Sequence, residues 1–101
     1  MSLYEKIFGK YRYTKEQRSR MAIKLAAMKN GQRFILNKND PENSLEVKLV
    51  RRKNACQIVT LDSGLTLAKG ANETALVSRI IHALNNWDEV LDAHSMAATA
   101  K

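Results

Sequence analysis

The residues of this chain whose type and spacing could do chemistry are its cations. Arg51-Arg52-Lys53 form an unbroken basic run with Lys48 just before it, and Arg18, Arg20 and Lys24 fall together in a helix-like stretch. Guanidinium and ammonium groups donate hydrogen bonds and accept none, so a cluster of them suits an anion, above all the phosphates of nucleic acid. The charge is divided unevenly: residues 1–54 carry 14 Lys and Arg against 5 Asp and Glu, net +9, whereas residues 55–101 carry 3 against 5, net −2. Seven positions are therefore the candidate nucleic-acid contacts: Arg18, Arg20 and Lys24 on a helix, and Lys48, Arg51, Arg52 and Lys53 on a hairpin. Such contacts fall mostly on phosphates and give affinity with little sequence discrimination. The stretch Lys10-Tyr11-Arg12-Tyr13-Thr14-Lys15 interleaves cations with rings, the pairing that holds single strands. The bland alternative is that Tyr4, Phe8 and Tyr11, at i, i+4 and i+7, are core anchors.

Other chemistries find no constellation. His82 and His94 lie 12 residues apart and far from the single Cys56, which matches no zinc-ligand spacing. Cys56 reads as a small buried hydrophobe. Ser63 and Ser78 have no evident base partner in the sequence. Gly9, Gly31, Gly64 and Gly70 are isolated, so no phosphate loop is formed. Asp88, Glu89 and Asp92 read as a solvated helix face. The expectation is a non-enzymatic protein with no catalytic residues, no cofactor and no metal.

Composition bounds the setting. At 101 residues, 45% hydrophobic and 27% charged, the chain has the makings of one globular domain. One cysteine excludes an intrachain disulfide and fits a reducing compartment. No apolar run approaches the roughly 20 residues needed to cross a membrane. Met1-Ser2-Leu3-Tyr4-Glu5 lacks the apolar core of a signal peptide. A soluble, cytoplasmic protein is expected.

The elements that must position the cations follow from periodicity. Residues 1–13 are an N-terminal segment with one aromatic helix face. Thr14 with Gln17 reads as a capping box opening a basic helix that ends at Asn30-Gly31 (14–30). Within it Met21, Leu25 and Met28 form one stripe, beside the small Ala22, Ala26 and Ala27. Residues 32–68 read as a β-meander: a strand at 33–36, a loop around Asp40-Pro41, then strands at 44–51, 55–61 and 65–68, with a turn at Asp62-Ser63-Gly64. Leu45, Val47 and Leu49 alternate with Glu46 and Lys48, so one face is apolar and the other polar. Asn72 reads as the cap of a helix whose face is Leu76, Val77, Ile80, Ile81 and Leu84. Asn85-Asn86 breaks it before a second helix bearing Trp87, Val90 and Leu91 (72–94), and 95–101 reads as a frayed tail. The fold expected is a single α+β domain: a small antiparallel sheet of three to four strands with an N-terminal helix and C-terminal helices packed on it.

From Gln57 to Ala93 the pattern of turn, short strand, helix, Asn-rich break and acidic leucine-bearing segment (Asn85-Asn86-Trp87-Asp88-Glu89-Val90-Leu91) resembles the ending of many small phage and prophage accessory proteins. The resemblance covers about a third of the chain and implies binding of nucleic acid or a host protein, with no catalytic site common to such proteins. The basic N-terminal half lies outside it, so it assigns no functional residue. The partner expected is DNA or RNA. The alternative is a regulatory or inhibitory adaptor that binds an acidic protein surface, with the Met21/Leu25/Met28 stripe or Trp87 as anchor. Left uncovered, that stripe would also form a homodimer.

Overall fold

The computed structural model describes residues 12–99, so the aromatic segment expected before Arg12 lies outside the described residues. Helix α1 (Lys15–Ala27) opens with both bonds of the capping box: Gln17 N–H donates to Thr14 Oγ1 (3.1 Å) and Thr14 N–H to Gln17 Oε1 (2.8 Å). It ends earlier than the Asn30-Gly31 signal suggests, with Met28 already extended as its C-cap. Asn30-Gly31 instead turns the chain into the sheet. Gly31, at φ +86°, takes the left-handed conformation that costs glycine least, and its N–H donates to Leu49 O.

Four strands follow: β1 (Arg33–Leu36), β2 (Leu45–Arg52), β3 (Ala55–Thr60) and β4 (Thr66–Gly70). They pair in sequence order, all antiparallel. A 3-10 turn (Pro41–Asn43) sits in the β1–β2 loop. The last strand lies later than the expected 65–68, because Thr60 and Leu65 close the preceding turn instead: Thr60 N–H donates to Leu65 O, and Leu65 N–H to Thr60 Oγ1. Helices α2 (Glu73–Asn85) and α3 (Trp87–Thr99) complete the chain. Asn72 caps α2 by accepting from Ala75 N–H at 2.9 Å, and the helix stops at Asn86 as expected. Helix α3 runs through Ser95 to Thr99, past the expected fraying point. Ala97 and Ala98 are strong helix formers, and His94 is tied to the sheet end by a hydrogen bond to Ser63.

Alternation divides the sheet into two faces. One carries Leu36, Val47, Leu49, Cys56, Ile58 and Ala68, all buried, and meets Leu76, Val77, Ile80, Ile81 and Leu84 of α2. Helix α1 packs alongside α2 on this same side and contributes buried Leu25, with Met21 and Met28 half-buried against the core. The stripe is thus mostly consumed inside the molecule. Helix α3 crosses the sheet end: buried Trp87 donates from Nε1 to Asn43 O at 2.5 Å. The fold is α+β, with its helices gathered on one face and one end of the sheet.

Candidate nucleic-acid interface

The second face of the sheet is the open one. It carries Arg33 and Ile35 on β1, Glu46, Lys48, Val50 and Arg52 on β2, Ala55, Gln57 and Val59 on β3, and Lys69 on β4. Not one of these is buried, and the helices send their buried side chains to the opposite face. Among the described residues nothing covers it. Its centre is half-buried Val50, Gln57 and Val59, and its charged groups are four cations and one carboxylate. Lys53 extends the positive charge onto the exposed β2–β3 turn.

Register sets these cations against one another. Arg33 stands directly opposite Lys48 in the β1–β2 ladder. Like charges at opposed positions destabilise a sheet by roughly 0.2–1 kcal/mol, because their Cβ atoms are only about 5 Å apart. No ion pair relieves them: the salt bridges among the described residues are Arg20–Glu16 and Arg51–Glu73. Lys69 faces Gln57, whose other neighbour is Val50, and Arg52 lies four residues beyond Lys48 on the same face. At about 3.3 Å per residue and 4.8 Å per strand, the cations cover a patch of roughly 13 by 14 Å.

The seven positions chosen from sequence are divided by the fold. Lys48, Arg52 and Lys53 belong to this patch. Arg18, Arg20 and Lys24 are exposed on α1, in the helical layer behind the sheet, and Arg20 is bonded to Glu16 at 2.6 Å. Arg51 is turned inward. Its Nε donates to Glu73 Oε1 (3.2 Å), its Nη1 to Met28 O (2.5 Å) and its Nη2 to Leu25 O (2.6 Å). The guanidinium satisfies carbonyls at the C-terminus of α1, where positive charge is favoured, and fastens that end to the first turn of α2. Arg51 therefore acts inside the fold and leaves the set of solvent-facing candidates. Arg33 and Lys69 were not chosen from sequence. Both follow only once β1 and β4 are placed on the sheet edges.

The Glu73 carboxyl is held below its ordinary range, first by its own backbone N–H and next by Arg51. Burial and the nearby Glu73 carboxylate push the Cys56 thiol up, so it stays protonated and a poor nucleophile.

One polar cluster was missed in the sequence. Ser63, 7% exposed, lies 2.7 Å from Thr60 Oγ1 and 3.1 Å from His94 Nδ1. A hydroxyl beside an imidazole is the start of a nucleophile–base pair. Here the hydroxyl is enclosed beneath its own turn and shared with Thr60, so the contact fastens the β3–β4 turn to α3. The 31 residues between Ser63 and His94 hid it. Cys56 is buried, as expected, and His82 is exposed. No group of three metal-ligating side chains occurs among the described residues, and none of their helices is long and apolar enough to cross a membrane.

No family model, curated protein or solved structure matches this chain.

Proposed function

We propose that the protein binds nucleic acid through phosphates, on the open face of the sheet and its adjoining turn, without catalysis. The observation that carries this is the opposed Arg33–Lys48 pair, which costs the fold stability unless an anion lies across it. Arg52, Lys53 and Lys69 complete the contact set. A duplex carries one phosphate per about 1.7 Å of axis, so a patch of this size meets several at once. Affinity is electrostatic and tolerant of sequence, since the face presents cations and aliphatic groups rather than rings. A cytoplasmic setting, and a place among small phage or prophage accessory proteins that bind nucleic acid, belong to the same proposal.

The test is fluorescence anisotropy of a labelled oligonucleotide, single- and double-stranded, at several salt concentrations. Log affinity should fall linearly with log salt, and Arg33→Gln should reduce the slope by about one unit. Arg18→Gln with Arg20→Gln should leave the slope unchanged, because those side chains lie on the helical layer. Absence of binding at low salt, where electrostatics are strongest, would remove the reading. A second reading, an adaptor for a protein partner, is favoured by one separate feature, an apolar groove on the helical side.

A further inference from the structure

The helical side of the molecule is not closed. Between α1, the edge strand β1 and α2 runs an open groove of about 720 Å³. Half-buried Met21, Met28 and Phe34 line it above a floor of the buried core residues Leu36, Ile80 and Leu84. Ile35, 51% exposed, stands at its β1 edge. The charged groups lining it are Lys24, from α1, and Lys38, from the β1–β2 loop, with no carboxylate among them. The two cations come from different walls, so they flank whatever lies between. Its volume falls within the range of ligand sites, but those enclose most of a small molecule; this one is open to solvent. It suits an extended occupant whose apolar side is laid in and whose polar side stays wet.

The wall geometry narrows the choice. Leu25 is taken up by the core, but half-buried Met21 and Met28 stand seven residues apart on the α1 wall, two turns along one face, the spacing at which a second helix can set an apolar side chain against each. Methionine is adaptable and fills irregular contacts, which suits a helix docked from outside. We propose that the groove is the docking site for an amphipathic helix of a partner protein, with acidic residues flanking its apolar face and meeting Lys24 and Lys38. This is independent of nucleic-acid binding, which uses the opposite face of the sheet.

The test uses the full chain with methyl-labelled methionine and two synthetic helical peptides. Both carry leucine at i, i+3 and i+7; one has glutamate on its flanks and the other lysine. The acidic peptide should shift the Met21 and Met28 methyl resonances saturably and leave Met96, 72% exposed on α3, where it is. Lys24→Glu with Lys38→Glu, both at exposed positions, should weaken the acidic peptide by about tenfold or more and favour the lysine peptide. Equal binding of the two peptides, or no shift with either, overturns the proposal. So do Met21 and Met28 shifts that depend on protein concentration alone, which would make a second copy the occupant. Contacts from those methyls to the rings of Tyr4, Phe8 or Tyr11 in the free protein would assign the groove to the chain's own first residues and overturn it equally. No oligonucleotide enters this experiment, so its failure leaves the sheet-face reading standing.

Discussion

At the scale of single residues, Arg51 shows how one side chain is diverted from a surface role. It sits two residues after Leu49 and four after Val47, so strand alternation carries it onto the core side. There three of its N–H groups, one on each guanidinium nitrogen, meet the Leu25 and Met28 carbonyls and the Glu73 carboxylate. Its side chain is 28% exposed, so these contacts are partly shielded from water. Arg51→Gln should lower stability by about 2 kcal/mol, the order lost when hydrogen bonds to a charged group are broken and their partners left behind. Urea denaturation measures this. The same variant should keep the salt slope of oligonucleotide binding, where Arg33→Gln changes it. Glu73 adds a pH dependence. Its folded pKa is depressed, so its contribution is full above the unfolded value near 4.5 and is lost as pH falls through the folded one. Glu73→Gln should flatten that acid limb of the stability curve. Unchanged acid sensitivity in Glu73→Gln would show that other carboxylates set it.

At the scale of elements, β4 and α2 meet closely at one glycine. Gly70 lies on the core face opposite Cys56. A Cβ there would sit 2.6 Å from Leu76 N and 2.9 Å from Ala75 C, both backbone atoms that cannot swing aside. Gly70→Ala should therefore push the start of α2 off the sheet and cost about 1–3 kcal/mol, the range for overpacking a closed interior. A thermal melt at wild-type level would mean that α2 slides without loss. The elements themselves were largely legible. Caps at Thr14 and Asn72, the Leu76–Leu84 periodicity and the alternation of β2 are local signals, and local signals survive into the fold. What the chain hid is what pairing decides. The run Arg51-Arg52-Lys53 looks like one patch as text, yet a strand sends Arg51 and Arg52 to opposite faces and leaves Lys53 in the turn. Arg33 and Lys69 meet the patch only through register across the sheet, and Ser63 meets His94 only when α3 crosses the sheet end.

At the scale of the whole molecule, stability and charge are set against each other on the open face. A sheet without an anionic partner would do better with a neutral or acidic residue opposite Arg33. Lys48→Thr tests this directly. Threonine suits a half-buried strand position, adds no charge and removes the like-charge contact. The variant should be more stable than wild type by about 0.5 kcal/mol while binding oligonucleotides more weakly and with a shallower salt dependence. A site kept for function at a cost in stability behaves in this way. The other outcomes separate the causes. Higher stability with unchanged binding would make the pair a tolerated defect and move the phosphate contacts to Arg52, Lys53 and Lys69. Lower stability would show that the Lys48 stem packs on Val50 and Val59 more than its charge repels Arg33, so that the opposed charges would no longer point to an anion on this face.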